Sequence, residues 1–317
     1  MFPLGGRGED LSLTKITETG EVFVLTRFAI QPDAELAIFP KATDKPQYLD
    51  RIWLETRVDR LVKFTIPSLT SQSDLTFKWL VGVDSSVPRD IIARLKSALP
   101  LFAVIVTTSS KTTFNAAVSD FLRKEGQSQI TVRLDSDDAI GREFIASVRK
   151  VCTQVGVVCN FPSGLGFFEE NGIAVRKFIR ASPFIATRGY PDSHILTFGL
   201  HSGVGDKAPL KETPTVRPMW LKVYSAEMTS NLPINGFATL RAPRKLLSKH
   251  FGIDYKFVAP TVMNRITFTY SFLGRLGGRR FPVLMKLWLL TRPQKTIAAV
   301  GKGRRVQSPS WWEKLSK

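Results

Sequence analysis

The strongest constraint on the fold is an alternation of β-type runs with helical patterns between residues 21 and 150. Short apolar runs rich in β-branched and aromatic residues predict four buried strands, at 21–28, 77–84, 102–108 and 129–134. Apolar residues at helical spacing predict the intervening helices, at 48–64, 88–99 and 113–124. Successive βα units connect by right-handed crossovers, so we expect an α/β fold with a mostly parallel sheet flanked by helices.

The remaining chain divides by pattern into further parts. The boundaries that we predict are a loose arm at 1–20, a nucleotide-sugar-binding α/β part at 21–160, an acceptor-binding part at 161–240 and a basic helical tail at 241–317. Short antiparallel strands are expected at 172–179 and 183–189, with loops from Gly189 to Pro218. Short helices are expected at 244–251, 261–274 and 282–290. The first helix of the chain should end before Pro67.

Positive charge is concentrated at the C-terminal end. Residues 239–317 contain 17 of the 45 Lys and Arg residues but two of the 27 Asp and Glu residues. Such a segment favours surfaces that carry phosphate. The apolar stretch 281–290 follows a basic cluster at 275–280 and would either dock on an anionic membrane surface or cover the core.

The sequence also predicts the cellular compartment of the protein. We find neither a signal-peptide pattern at the N-terminus nor an apolar run long enough to cross a membrane. Cys152 and Cys159 stand among valines and are expected to be small buried side chains in a reducing compartment. We therefore predict a cytoplasmic protein, peripheral on the inner membrane face if its tail docks there.

Three carboxylates follow the fourth predicted strand, at Asp135, Asp137 and Asp138. Ligands of open α/β sheets bind beyond the carboxyl ends of the strands. In an extended backbone residues i and i+2 share a face, so Asp135 and Asp137 would point together while Ser136 faces away. Asp138 would cap the helix predicted at 141–150. The run either caps and solvates a strand-to-helix turn or holds Mn²⁺ or Mg²⁺ with a diphosphate.

Several blocks of the sequence resemble the rhamnosyltransferase family of bacterial glycosyltransferases, which is similar to the glycosyltransferase A fold. The blocks are Leu25 to Phe28, Ile66 to Gln72, Phe77 to Val81 with Asp84, Arg133 to Ala139, Asn160 to Gly164 and Pro218 to Leu221. The resemblance covers roughly residues 20–250, and 133–139 is its most specific part. It implies a glycosyltransferase A-like fold and transfer of a deoxyhexose.

The same resemblance assigns roles by position. It makes Asp135 and Asp137 the metal ligands, with Asp135 also contacting the donor and Asp138 in support. Arg133 would balance the charge of the diphosphate or pair with the carboxylates.

A nucleoside pocket would lie at the ends of the first two strands. Thr26, Arg27 and Asp84 stand there and are implied to bind the donor, with Arg27 sharing the charge-balancing role of Arg133. For Asp84 the alternative is a residue that starts the turn at Ser85.

The base that deprotonates the acceptor hydroxyl is less well defined. Asp192, Asp206 and Glu227 are the candidates, their spacing does not choose among them, and we select Asp192 and Glu227. The family pattern has a histidine near Tyr224 or Ser225, which this chain lacks, so Glu227 would replace it as ligand or base. The alternative for Glu227 is an exposed residue near a helix start.

Together these features predict a glycosyltransferase. It would move a sugar, rhamnose by the family's name, from a nucleoside diphosphate donor to a hydroxyl of a glycan or a lipid-linked acceptor. The alternative is a noncatalytic protein that binds a polyanion or a membrane surface through its basic tail. Nucleic acid is a poor candidate partner, because the basic excess lies at one end and its aromatic residues are not interleaved as a stacking platform.

Overall fold

A computed structural model describes residues 20–30, 49–126, 128–169, 172–179, 182–199, 203–224, 237–238 and 243–254. The chain divides into two compact units, Met1–Pro260 and Thr261–Lys317, and every described residue belongs to the first. The predicted arm, apart from Gly20, and the helices predicted at 261–274 and 282–290 lie outside the described residues. The predicted boundaries between functional parts remain predictions.

Seven strands of the described ranges form the main sheet. They are β1 (Val22–Ala29), β2 (Phe77–Asp84), β3 (Ala103–Thr108), β4 (Gln129–Arg133), β6 (Val158–Asn160), β9 (Ile185–Gly189) and β10 (Leu210–Glu212). Their order is β10-β6-β9-β4-β1-β2-β3, and only β9 is antiparallel to its neighbours. The predicted mostly parallel sheet is therefore confirmed.

Helices cover the sheet on both faces. They are α1 (Arg51–Arg60), α2 (Ile66–Thr70), α3 (Arg89–Ala98), α4 (Phe114–Glu125), α5 (Phe144–Val151), α6 (Val204–Lys207) and α7 (Pro243–Phe251), with 3₁₀ turns at Pro191–Ser193 and Ile195–Phe198. On one face, Val24 and Trp79 are buried with Leu54 of α1 and Ile91 of α3; on the other, Phe23 packs with Leu122 of α4 and its neighbours. The α/β layering is as the sequence predicts.

The first helix does not end before Pro67, which corrects that prediction. A π-helical turn at Leu61–Thr65 continues α1 directly into α2. Pro67 stands in the first turn of α2, where its missing N–H and fixed φ are tolerated. The extra turn brings Thr65 and Ser68 into the interior, where both are fully buried.

Five strands form a second, smaller sheet among the described residues. They are β5 (Ala139–Ile140), β7 (Ser163–Phe168), β8 (Ile173–Phe178), β11 (Trp220–Tyr224) and β12 (Phe237–Ala238), in the order β12-β8-β7-β11-β5. Every pairing is antiparallel except that of β7 with β11. The strands predicted at 172–179 and 183–189 are confirmed as β8 and β9, although β9 joins the main sheet.

The region after Asp138 differs from the prediction. Ala139 and Ile140 pair with β11 as a short strand, so the next helix begins at Phe144 rather than at Gly141.

Cys152 and Cys159 are both buried and reduced, as their valine-rich surroundings predict. Within the described ranges, no helix has the length and apolar character that crossing a membrane requires.

Candidate active site

The four residues Asp135 to Asp138, here called the acidic turn, follow β4 and precede β5. The N–H of Asp138 donates to the carbonyl oxygen of Asp135 over 3.2 Å, so the segment is a turn and not an extended strand. The alternation argument for Asp135 and Asp137 therefore does not apply. Ser136, expected to face away, is fully buried instead.

Thr65 fixes the backbone of the acidic turn. Its hydroxyl oxygen lies 3.0 Å from the carbonyl oxygen of Ser136 and 2.8 Å from that of Asp138, and its proton is directed at this pair. The π-helical turn that ends at Thr65 is what presents this hydroxyl, and such turns occur often at functional sites. The acidic turn is thus held by the interior of the fold.

Each carboxylate of the acidic turn lies near a cation, which for Asp137 and Asp138 comes from a distant part of the chain. Asp135 lies 3.6 Å from Nε of Arg133, and Asp137 lies 3.1 Å from a terminal nitrogen of Arg57 on α1. Asp138 lies 3.4 Å from Nζ of Lys222 on β11. These three cations, with Arg27 at the end of β1, are here called the cation set.

The pKa values of Asp135 and Asp138 move in opposite directions. Burial alone would raise the pKa of Asp135, but Arg133 and then Lys222, Arg57 and Arg27 outweigh it and hold that pKa at about 2. Burial raises the pKa of Asp138 to about 7; Lys222 opposes this rise, while Asp137 and Asp135 add to it. Asp135 is therefore firmly ionised, whereas Asp138 can hold a proton near neutral pH.

Exposure separates the three carboxylates further. The side chain of Asp135 is 31% exposed, against 8% for Asp137 and 0% for Asp138. Asp135 is thus the carboxylate that an incoming ligand meets first. Asp138 accepts a hydrogen bond from the N–H of Val223 over 2.9 Å and joins the acidic turn to the small sheet. It does not cap α5, which corrects its predicted role.

The residues predicted to line the nucleoside pocket lie on different sides of the sheet. Thr26 is fully buried, and its hydroxyl accepts a hydrogen bond from Nε1 of Trp79 over 2.9 Å. Asp84 is also buried and accepts from the N–H of Ser86 over 2.8 Å, which is the turn-starting role left open above. Of the three residues, Arg27 is the one whose charge acts on the acidic turn.

The candidates for the base are not brought to the acidic turn by any contact in the described chain. Asp192 lies in the 3₁₀ turn Pro191–Ser193, is 70% exposed and pairs with Arg123 of α4. Asp206 lies in α6. Glu227 falls outside the described residues.

Sequence reasoning missed Arg57, Thr65 and Lys222. A lysine between Leu221 and Val223 in an otherwise apolar strand was the available signal, because a charged residue on a buried strand requires a partner. Arg57 and Thr65 gave no comparable signal. Arg57 lies on α1 and Thr65 in the π-helical turn, and both reach the acidic turn through packing between segments that are distant in sequence.

The donor atoms suit a hard divalent cation in part. Asp135 and Asp137 offer carboxylate oxygens on one turn, and Mg²⁺ commonly takes one or two carboxylates together with phosphate oxygens and water. Among the residues that the structure describes, no group of three or more His, Cys, Asp or Glu side chains is arranged around a metal position. Asp135 and Asp137 would therefore need further ligands, such as phosphate oxygens and water, to complete the coordination of a metal.

The acidic turn lies at the carboxyl end of the central parallel strands, which is where open α/β sheets commonly bind their ligands. The chain belongs to the family described as "Putative rhamnosyl transferase", whose model matches residues 24–234. This membership confirms the predicted family. No curated protein matches the chain.

Matches among solved structures come from several bacteria. Staphylococcus aureus TarS 1–349 in complex with UDP-GlcNAc is 11% identical, with a TM-score of 0.38 over 67% of this chain and 62% of that one. The inositol-1-phosphate CTP transferase of T. maritima is 12% identical. Its TM-score is 0.32, and the match covers 68% of this chain and 93% of that one. The chain thus spans less than two thirds of the TarS 1–349 structure.

Proposed function

We propose that the chain is a glycosyltransferase that moves rhamnose from a nucleoside diphosphate donor to a hydroxyl of a glycan or a lipid-linked acceptor. The acidic turn supports this proposal, because its carboxylates and the cation set converge beyond the ends of the central parallel strands. Four cations face three carboxylates there, and one of these carboxyls can be protonated near neutral pH. The surplus of positive charge suits an anion such as a diphosphate.

The cation set would stabilise the leaving group. As the bond between sugar and diphosphate breaks, negative charge builds up on the departing phosphate oxygens. Arg57 and Arg133 offer planar guanidinium groups for these oxygens, and each has a buried nitrogen without a hydrogen-bond partner within the described structure. The carboxylates hold both side chains in place before the donor arrives.

We propose Asp135 and Asp137 as the residues that would hold Mn²⁺ or Mg²⁺. The depressed pKa of Asp135 keeps its oxygens available as ligands at any ordinary pH. When bound, the metal would neutralise the diphosphate as a Lewis acid. The contacts of Asp137 with Arg57 and of Asp135 with Arg133 would then orient the carboxylates.

We propose further roles for five residues outside the acidic turn. Arg27 would contact the donor near its diphosphate, while Thr26 and Asp84 would shape the nucleoside pocket from within the fold. Asp192 and Glu227 remain the candidates for the base that removes the acceptor proton.

We propose that the protein is cytoplasmic and that its tail at 241–317 attaches it peripherally to an anionic membrane. Its charge supports the proposal, because each Lys or Arg near such a surface contributes about 1 kcal/mol. Sedimentation with anionic vesicles tests it: a chain cut after Gly274 should bind less than the full chain, and unchanged binding would contradict the proposal.

Donor binding can be tested by thermal shift with a panel of nucleoside diphosphates and nucleotide sugars, with and without Mn²⁺. We expect at least one nucleoside diphosphate to raise the Tm, and Mn²⁺ to increase that rise. Asp135→Asn and Asp137→Asn should remove the part of the rise that depends on Mn²⁺. Asp59→Asn, a change at an exposed acid on α1, serves as the matched control.

The outcomes separate the claims. A panel in which no nucleotide raises the Tm would contradict the transferase proposal. If a nucleotide raises the Tm but neither Mn²⁺ nor the two aspartate changes alter that rise, the proposed metal site is contradicted. Donor binding would then be assigned to the cation set. Turnover of a nucleoside diphosphate rhamnose, against a matched hexose donor, then tests the sugar.

A further inference from the structure

Lys177 on β8 is a buried lysine that the donor site does not use. The residue is 7% exposed, and its ammonium donates a hydrogen bond to the hydroxyl oxygen of Tyr224 over 2.8 Å. The same ammonium lies 4.4 Å from the centroid of the Tyr224 ring, within range of a cation–π contact. Tyr224 in turn stacks on Phe168 at 4.9 Å. The ammonium is therefore held in one place.

No carboxylate pairs with Lys177 anywhere in the described part of the chain. Burial, followed by repulsion from Lys222, lowers the pKa of Lys177 to about 8. A buried ammonium without a negative partner is unfavourable, and proteins normally compensate it. Lys222 shows the usual arrangement, because it faces the carboxylates of the acidic turn. Lys177 lacks such compensation within the described chain.

The small sheet places Lys177 and Lys222 on the same face. Gly166 of β7 lies opposite Lys222, and a Cβ there would come within 2.9 Å of both Cε of Lys177 and Cε2 of Tyr224. Lys222 and Tyr224 alternate on β11 and therefore project to the same side. A row of positive and hydroxyl groups thus runs from the acidic turn to Lys177.

We propose that Lys177 and the Tyr224 hydroxyl bind a phosphate group carried by the acceptor. The hydroxyl oxygen accepts from Lys177, which leaves its proton available to donate to a phosphate oxygen. The cation set next to the acidic turn already serves the diphosphate of the donor, so the ammonium beyond it serves a second anion. This inference rests on the proposed function and specifies its acceptor as a phosphorylated glycan or lipid.

The test uses the full-length chain saturated with the nucleoside diphosphate that gives the largest thermal shift in the panel above. Glycerol 1-phosphate and inorganic phosphate are then titrated at constant ionic strength, with glycerol as the neutral control. Lys177→Met removes the charge, Lys177→Gln keeps a donor for Tyr224, and Lys177→Arg keeps the charge. Lys96→Met, at an exposed lysine on α3, controls for the loss of one positive charge.

We expect glycerol 1-phosphate to bind the wild type, and the Met and Gln variants to weaken it by about tenfold or more. Lys177→Arg and Lys96→Met should bind it about as the wild type does, and nucleotide affinity should not change. Lys177→Met should also raise the Tm, by about 2–4 °C, because it removes a buried charge that no carboxylate of the described residues compensates.

Three results would overturn the inference. The first is the absence of phosphate binding, or equal binding by the wild type and Lys177→Met. The second is a matching loss of nucleotide affinity in Lys177→Met, which would assign Lys177 to the donor. The third is a fall in Tm for both Lys177→Met and Lys177→Gln, which would mean that the ammonium has a structural partner. Each differs from failure of the proposed function, in which no nucleotide binds.

Discussion

The acidic turn and the Lys177 region bury charge in opposite ways. At the acidic turn, Asp135, Asp137 and Asp138 each have a cation within 4 Å, and the cations of Asp137 and Asp138 come from distant parts of the chain. Around Lys177, a buried ammonium has a hydroxyl partner and no carboxylate in the described chain. Compensated charge orients groups before a ligand arrives, whereas uncompensated charge costs stability until a ligand supplies the counter-charge. The difference distinguishes a charge-balanced turn from a buried ammonium that, in our proposal, takes its counter-charge from a bound phosphate.

Removal of Lys222 gives the largest expected effect on stability. Lys222→Met leaves Asp138 buried without its cation, and we expect a loss of roughly 3 kcal/mol in the free energy of unfolding. Urea unfolding measures this loss. In the double variant with Asp138→Asn, much of it should be recovered, because the buried charge is gone. Equal losses in the single and double variants would show that Lys222 stabilises by packing instead.

The pH dependence of stability tests the buried charge of Lys177. The pKa of Lys177 is about 8 in the folded protein and about 10.5 in the unfolded chain, so the buried charge is fully unfavourable below pH 8. Between pH 8 and 10.5 the unfolded chain binds more protons at this position, and stability should rise with pH. The total gain is on the order of 2 kcal/mol.

Chemical unfolding of the wild type and of Lys177→Met across this pH range measures how much Lys177 contributes to the pH dependence of stability. The difference between the two proteins should shrink as the pH rises through 8 and towards 10.5. A difference that stays constant would show that Lys177 is charged throughout and compensated.

Thr65 tests whether the acidic turn depends on its interior support. Thr65→Val keeps the shape but removes the donor to the carbonyl oxygens of Ser136 and Asp138, and we expect a loss of about 1–2 kcal/mol in stability. Nucleotide affinity should fall as well, because the carboxylates lose their fixed positions. Thr65→Ser retains the hydroxyl and should restore both quantities; failure of the serine variant would assign the effect to packing of the methyl group.

The sequence was informative where periodicity decides the structure. Strands β1 to β4 and helices α3 and α4 follow patterns of alternating apolar runs, and the structure places them within one or two residues of the predicted ranges. Pro67 and Ala139 show where this reasoning fails. The first was interpreted as a helix breaker, although the start of α2 tolerates it; the second belongs to a two-residue strand, whose pairing with β11 depends on residues eighty positions away.

The site was predictable as a cluster of acids but not as a charge-balanced group. Asp135, Asp137 and Asp138 are adjacent in sequence, and Arg133 is within reach of the same turn. Arg57 and Lys222 approach from 80 and 84 residues away, a relation that only the packing of α1 and β11 creates. Local spacing carries no information about such partners. It also could not show that Asp138 faces the small sheet rather than α5.

Substitution in the exposed pair of Asp59 and Arg94 should have the smallest effect on stability. It is the reference for the other substitutions. Asp59 lies on α1, as Arg57 does, but its side chain is 54% exposed and pairs with a partner that is 48% exposed. Because water and salt screen such a pair, Asp59→Asn should change the free energy of unfolding by less than about 0.5 kcal/mol. Nucleotide affinity should be unaffected.

Arg57→Met, two residues away, leaves the buried Asp137 without its cation and should have a clearly larger effect on both quantities. Urea unfolding and thermal shift, run on both variants at two salt concentrations, measure the contrast. The effect of Asp59→Asn should shrink at high salt, while that of Arg57→Met should persist. If both effects are equally small, the compensation at the acidic turn is an exposed surface interaction, and its distinction from Lys177 is lost.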